Sequence, residues 1–230
     1  RIVGNITEEI GRQIRSGNFI NALKIHKKHQ DGWLKNHERL DTKFYVAKAF
    51  EDAGAHKVAE KNYRDVLNQI YAIKGNPKEK ELLFTQHSPN EDELNLRLAM
   101  TSFQQKKLNQ AYDYLKNIKS PDKLPENQQI ERIRLAVDLL EKRGDLDSAA
   151  RYLTELLKSW KGQAALVAEP YLRLAQLELK QEKVDQAIVS LKVVDTLMAD
   201  SKGVPANIHA QSLELLGKIY SEKSETAEAI

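Results

Sequence analysis

The chain has 230 residues, of which 41% are hydrophobic and 30% charged, and its mean hydropathy is −0.58. It contains no cysteine, which excludes a disulfide framework, a cysteine-ligated metal site and a cysteine nucleophile. The longest apolar run, residues 164–168, is far shorter than the roughly 20 residues that a bilayer-spanning helix needs.

Apolar periodicity, caps and breakers predict helices along the whole chain and no strand. Only ten glycines and six prolines interrupt a composition rich in good helix formers. The predicted helix pairs are 5–16 and 18–30, 40–53 and 56–74, 91–105 and 108–118, 128–143 and 146–160, 166–181 and 184–199, and 207–222 with a stub near Glu225. We therefore expect about five and a half helical hairpins.

A glycine followed five residues later by an alanine recurs between paired helices, as in Gly17 and Ala22 or Gly54 and Ala59. Two further copies lack the glycine and keep the alanine. The marker alanines are Ala22, Ala59, Ala111, Ala149, Ala187 and Ala229, separated by 37, 52, 38, 38 and 42 residues. A left-handed glycine can close the turn, and the alanine allows the second helix to approach the first.

Both helices of a pair carry further repeated features. A small residue follows an apolar one in the first helices at Val46-Ala47, Leu98-Ala99, Leu174-Ala175 and Leu216-Gly217, and a large residue follows the alanine by four positions at Tyr63, Leu115, Leu153 and Leu191. With these features the chain resembles the tetratricopeptide repeat (TPR) family. The resemblance implies an all-α fold, a right-handed α-solenoid of stacked antiparallel helix pairs. The expected repeats of one solenoid over 1–230 are 3–36, 40–74, 92–125, 130–163, 168–201 and a truncated 210–230, with an insertion at 75–91.

The same resemblance implies that the first helices line a concave groove that binds a partner protein or an extended peptide. The matching groove positions are Phe44, Lys48, Arg97, Met100, Arg134, Asp138, Arg173, Gln176, Glu214 and Lys218. The three arginines recur near the repeat length and could bind an acidic peptide through two-pronged hydrogen bonds. Alternatively, each arginine pairs with a local acid, as Arg134 could with Glu131 or Asp138.

The family's clamp for a C-terminal carboxylate needs lysine and asparagine in the first repeat, and Thr7 and Gly11 stand there instead, so this mode is not expected.

Two features of the sequence have both a structural and a functional interpretation. The triplet 82–84 in the insertion either folds against neighbouring hairpins or contacts a partner. Trp33 and Trp160 are expected to fill junctions between repeats rather than to bind a ligand.

The sequence contains no motif for catalysis or for a cofactor, so we expect a protein that is not an enzyme and uses no cofactor. His26 and His29 are spaced to share a helix face, but the intervening lysines oppose cation binding, and no metal site is predicted. The alternatives to an interaction scaffold are a structural spacer in a larger protein and binding of an anionic polymer by residues 1–80, which carry 16 basic and 10 acidic side chains. Nucleic acid is not expected as a partner, because aromatic residues do not interleave with clustered basic ones.

Neither end of the sequence has the features of a complete domain boundary. The first residue is Arg1, and the last hairpin is cut within its repeat, so we expect flanking segments or domains of the same protein. The cellular compartment is not predicted from these residues, which suit the cytoplasm and an exported protein equally.

Overall fold

The computed structural model describes residues 2–35, 38–73, 84, 87–159, 164–200 and 204–228. These residues form helices and connecting turns, with no strand among them. The helices are α1 (Ile2–Arg15), α2 (Phe19–His29), α3 (Leu40–Asp52), α4 (His56–Ile73), α5 (Glu91–Gln104), α6 (Leu108–Lys116), α7 (Glu126–Lys142), α8 (Leu146–Ser159), α9 (Ala164–Lys180), α10 (Val184–Asp200) and α11 (Ala206–Glu228). A 3₁₀ turn, Pro121–Lys123, precedes α7.

The observed ends of α1 to α10 lie within three residues of the predicted ones. The prediction for the last helix is wrong: α11 continues to Glu228 instead of ending at residue 222 before a stub. No glycine or proline lies between Gly217 and Glu228. The hydroxyl of Ser224 donates a hydrogen bond of 2.9 Å to the Tyr220 carbonyl one turn earlier, a bond compatible with a continuing helix.

The predicted left-handed turns are confirmed at five registers. Gly17, Gly54 and Gly144 have φ angles of 75–77°, and the copies without glycine place Lys106 and Glu182 in the same conformation, each at φ 61°. The backbone hydrogen bonds are also alike. In the second hairpin, Gly54 N–H donates to Glu51 and Ala55 N–H donates to Phe50, which is the Schellman arrangement for ending a helix.

The five marker alanines in the described residues, Ala22, Ala59, Ala111, Ala149 and Ala187, are completely buried. On the first helix of each hairpin, the residue seven positions before the left-handed turn residue is buried as well. These residues are Ile10, Ala47, Ala99, Val137 and Ala175. The predicted role of the alanines as close-packing residues is therefore confirmed. Ala229, the sixth marker, lies outside the described residues.

Two aromatic predictions have different outcomes. Trp33 does not fill a junction, because its residue is 56% exposed and the neighbouring Leu34 is buried instead. Phe84 is half-buried and packs against the core of α3, α4 and α5, as the structural interpretation of the triplet expects. The other two residues of the triplet and Trp160 lie outside the described residues.

The chain divides into two compact units, Arg1–Arg132 and Ile133–Ile230. In the first unit, α1, α2 and α3 share one apolar cluster and α3, α4 and α5 another. In the second unit, α7, α8 and α9 share one cluster and α9, α10 and α11 another. No helix in the described part of the chain has the length and apolar character that a membrane span requires.

Candidate functional site: the first-helix face

The predicted groove residues lie on the first helices of the hairpins, which contact one another at a nearly constant separation along the chain. Thr7 and Thr42 share a hydrogen bond of 2.6 Å between α1 and α3, and the two residues are 35 positions apart. The same separation joins Gln128 with Glu93, Arg134 with Glu169, and Arg173 with Asp138. Successive first helices therefore lie side by side and in parallel within each unit.

Arg97 is the most enclosed of the predicted groove arginines, with a side chain 8% exposed. Its guanidinium lies 3.8 Å from a carboxylate oxygen of Glu51 on α3 and 3.3 Å from one of Glu131 on α7. Burial by itself would lower the pKa of Arg97, but attraction to Glu51 and Glu131 raises it above its ordinary value. A charged Arg97 therefore joins three first helices in the first unit.

The second unit repeats this arrangement between α7 and α9. Arg173 donates to Asp138 at 2.7 Å and to Glu141 at 2.9 Å. Arg134 makes a two-pronged ion pair with Glu169. Arg134 thus pairs with a carboxylate on the next first helix, while the two acids expected as its local partners, Glu131 and Asp138, pair with Arg97 and Arg173.

The other predicted groove residues are also used within the protein. Phe44 was expected in the groove and instead lies in the core, 6% exposed, with its ring centroid 5.7 Å from that of Tyr63. Met100 accepts a 3.6 Å contact from Arg97, and Gln176 accepts a 3.4 Å bond from Arg173. Two further ion pairs complete the set: Lys48 with Asp52, and the exposed pair Lys218 with Glu214. The arginines thus carry carboxylate partners from the chain itself.

A buried carboxylate provides a further link between consecutive hairpins. Glu60 on α4 is 3% exposed and accepts hydrogen bonds from Gln105 at 2.6 Å, Lys107 at 2.8 Å and Gln110 at 3.0 Å. Arg64 pairs with it one turn along α4. Burial alone would raise the pKa of Glu60, but the hydrogen bonds from Lys107 and Gln105 outweigh it and hold the pKa below its ordinary value.

An open cavity of about 590 Å³ lies on the first-helix face between α1 and α3. We call it the α1–α3 cavity. It is lined by Gly4, Asn5, Thr7, Glu8, Gly11, Arg15, Arg39, Asp41, Tyr45 and His87. Its volume falls within the range of ligand-binding pockets. None of the predicted partner-binding residues lines it.

The shape of the α1–α3 cavity depends on two glycines of α1, Gly4 and Gly11. A side chain at Gly11 would bring its Cβ to 3.0 Å from the Tyr45 ring, so any other residue there would require the ring to shift. At Gly4 the nearest atom, on Arg39, is 4.0 Å away, which leaves room for the cavity. Burial raises the pKa of Tyr45, so its phenol is neutral beside Arg15.

The sequence contained a signal for this cavity. Glycine inside a helix costs about 1 kcal/mol relative to alanine, so Gly4 and Gly11 within α1 indicate positions where a side chain is disfavoured for a packing or functional reason. The contribution of His87 could not be found in this way, because it comes from the segment after α4, whose path depends on tertiary packing.

A second cavity, of about 360 Å³, opens between α2, α3 and α4 in the first unit. Its charged residues are largely paired: His26 lies 2.7 Å from Glu38, and Lys43 donates to Gln69 at 3.0 Å. No group of three histidine or acidic residues in the described part of the chain is placed to hold a metal ion.

No protein-family model matches the chain, and no curated protein matches it. Solved structures do match. BtubC (BKLC) from P. vanneervenii is 18% identical with a TM-score of 0.62, and the match covers 100% of this chain and 88% of that one. A set of nearly identical TPR-like repeats from Podospora anserina is 14% identical with a TM-score of 0.62, covering 87% and 96%. A double mutant of MamA RS-1 is 12% identical with a TM-score of 0.60, also covering 87% and 96%.

These identities establish the fold alone. Hairpins of antiparallel helices with left-handed turns, buried marker alanines and parallel first helices agree with the structural matches. The resemblance drawn from the sequence is therefore confirmed, and the chain is an all-α helical-repeat protein with a TPR-like α-solenoid fold.

Proposed function

We propose that the chain is a non-catalytic interaction scaffold that binds an extended segment of a partner protein in the α1–α3 cavity. Repeat folds of this kind build binding surfaces from stacked helices. The observation that carries the proposal is the cavity itself, which lies on the first-helix face and is open to solvent.

The ion pairs of the first-helix face support this location over the row of arginines. A peptide carboxylate at Arg97 would have to displace Glu51 and Glu131, and one at Arg173 would have to displace Asp138 and Glu141. Glu51 and Glu141 are largely buried, with side chains 11% and 14% exposed, so displacing them leaves buried charges unpaired, which is costly. The α1–α3 cavity requires no such displacement.

The proposal is tested by selecting a display library of random 12-residue peptides on the immobilised chain. Gly4→Leu places a side chain into the cavity without a backbone clash. Gly217→Leu, at a helical glycine with open space around it, is the matched control in the other unit. Circular dichroism and thermal unfolding establish that both variants keep the fold.

We expect peptides that are enriched on the wild-type chain and on Gly217→Leu but lost on Gly4→Leu. Enrichment that survives Gly4→Leu would place the contact elsewhere. Absence of any enriched peptide would contradict the proposal and favour the structural spacer.

A further inference from the structure

Exposed basic and apolar side chains lie together along α2 and in the turn that follows it. We call this set the α2 surface, and it consists of Ile20, Lys24, Lys27, Lys28, Trp33 and Lys35. Trp33 is 56% exposed and Ile20 is 53% exposed. No member of the set lines either of the two cavities described above. The α2 surface therefore serves neither the core nor those cavities.

Three of these side chains share the outward side of α2. At 3.6 residues per turn, Ile20, Lys24 and Lys27 fall within about 60° of one another around the helix axis, opposite the buried Ala22. The helix thus packs Ala22 into the cluster that it shares with α1 and α3, and it presents its lysines to solvent.

A turn places Trp33 at the end of this row of lysines. The N–H groups of Gly32 and Leu34 both donate to the carbonyl of His29 in the last turn of α2, at 3.1 and 3.0 Å. Leu34 is buried whereas Trp33 is exposed, so the turn holds the indole at the surface. The α2 surface therefore has an apolar side chain near each end, Ile20 and Trp33, with three lysines between them.

The lysines of the α2 surface are not neutralised within the described part of the chain. None of the four has an ion-pair partner there, in contrast to Lys48, Lys107 and Lys180. One exposed carboxylate, Asp31, lies in the same turn as Trp33. The helix dipole favours lysines in the last turn of α2, but it does not account for an exposed tryptophan beside them. Four positive charges against one negative charge attract an anionic partner.

We propose that the α2 surface docks the protein on an anionic lipid bilayer. Tryptophan is enriched at membrane–water interfaces, where its ring lies at the level of the headgroups. Each lysine near an anionic bilayer strengthens binding about fivefold. The inference goes beyond the proposed function, because it concerns a surface that peptide binding in the α1–α3 cavity does not use.

Two features favour a bilayer over a nucleic acid. The α2 surface contains lysines and no arginine, so it lacks the planar fork that binds a phosphate in a fixed geometry. It also offers a single aromatic ring, whereas single-stranded nucleic acid binds to successive rings along a groove. Point charges between two apolar side chains suit a surface of mobile headgroups.

The test is co-sedimentation of the chain with two kinds of vesicle, phosphatidylcholine alone and equal parts of phosphatidylcholine and phosphatidylserine. One variant changes Lys24, Lys27 and Lys28 to glutamine. The matched control changes three exposed lysines of the second unit to glutamine, namely Lys142, Lys158 and Lys192. Trp33→Ala removes the indole, and circular dichroism establishes that all variants keep their helix content.

We expect the chain to bind the mixed vesicles at low salt and to leave the neutral ones unbound. The triple variant of the α2 surface should bind about 100-fold more weakly. Trp33→Ala should bind about tenfold more weakly, because no indole enters the headgroup layer. The matched control and Gly4→Leu should bind as the wild type does. In Trp160→Phe, where Trp33 is the only tryptophan, fluorescence should shift to shorter wavelength on the mixed vesicles.

The inference is overturned if the mixed vesicles do not retain the chain, or if both triple variants lose binding equally, since net charge alone would then be responsible. Unchanged binding by Trp33→Ala, with fluorescence that does not shift, would also overturn it, because the lysines would then attract any anion without lipid contact. None of these results bears on peptide binding in the α1–α3 cavity, so the proposed function is tested separately.

Discussion

Arg97 and Arg134 have similar positions in the sequence pattern, but Arg97 has the stronger structural role. Its side chain is 8% exposed between Glu51 and Glu131, whereas that of Arg134, paired with Glu169, is 57% exposed. Removing one partner of a buried ion pair leaves an uncompensated charge and costs about 3 kcal/mol, while an exposed pair contributes about 0.5 kcal/mol. We expect Arg97→Met to lower the free energy of unfolding several times more than Arg134→Met.

Urea denaturation at pH 7, followed by circular dichroism, measures both values. The same substitution at both sites removes the same charge and leaves the same apolar side chain. Equal losses for the two variants would mean that Arg97 contributes no more to stability than a surface residue.

Glu60 makes the stability of the first unit depend on pH. Its pKa in the folded protein lies below its ordinary value, because the hydrogen bonds from Lys107 and Gln105 outweigh the effect of burial. Its ionised form therefore stabilises the fold above pH 4.5, and this contribution disappears as the pH falls through the lower folded-state pKa. We expect Glu60→Gln to lower the free energy of unfolding by about 2 kcal/mol at pH 7, with the difference from wild type shrinking towards pH 3.

The measurement is a series of urea titrations from pH 7 to pH 3. Glu155→Gln, at an exposed glutamate, serves as the control and should follow the wild-type curve throughout. A Glu60→Gln deficit that stays constant down to pH 3 would show that the carboxylate charge is not what stabilises this contact.

The helix ends illustrate what the sequence could predict at the scale of elements. The spacing from turn to alanine located left-handed turns even at Lys106 and Glu182, which lack glycine, because the helix pairing requires a chain reversal at that position. The same spacing placed a break near Glu225, where α11 continues. Spacing alone does not end a helix, and the surrounding residues offer no breaker.

We expect a glycine to be the most stable residue at every left-handed turn. Introducing it should therefore stabilise the protein, and removing it should destabilise the protein. Lys106 and Glu182 have side chains at φ 61°, a conformation that costs roughly 1 kcal/mol relative to glycine, so Lys106→Gly and Glu182→Gly are expected to stabilise the protein by about 0.5 kcal/mol. Gly54→Ala and Gly144→Ala are expected to destabilise it by about 1 kcal/mol. A Cβ at either glycine would have nothing within 4 Å, so the effect comes from the backbone alone.

Differential scanning calorimetry of the four variants tests this pattern. Gly217→Ala is the control for glycine inside a helix and should stabilise α11 by about 1 kcal/mol, because its Cβ also meets open space. Destabilisation by Lys106→Gly would show that the lysine side chain contributes more to the turn than its backbone strain costs.

At the scale of the whole molecule, the sequence predicted the paired helices but not the contacts between one pair and the next. The marker alanines are mostly 37 or 38 residues apart, whereas cross-repeat hydrogen bonds between first helices join residues 35 apart. A residue therefore contacts a position nearly one turn away from its own equivalent in the next repeat. This offset depends on how the helices pack, so the partners of Arg134 and Arg173 could not be deduced from the periodicity.

The fold also determines how far a local defect spreads. The principal helix contacts join elements that are close in chain order, such as α3 with α4, α4 with α5, and α9 with α10. In such a protein, stability is approximately a sum of repeat and nearest-neighbour contributions, so damage to one hairpin stays near that hairpin. Ala59→Leu overpacks a completely buried site in the first unit at a cost of about 1–3 kcal/mol.

We expect amide hydrogen exchange in Ala59→Leu to accelerate about 5- to 150-fold in α3, α4 and α5, the factor that corresponds to this loss of stability. Exchange in α9 and α10 should keep its wild-type rates. Ala187→Leu, at the equivalent buried alanine of α10, should give the reverse pattern and serves as the matched variant. Uniform acceleration along the chain in both variants would instead mean that all the repeats open together, as in a two-state globular domain.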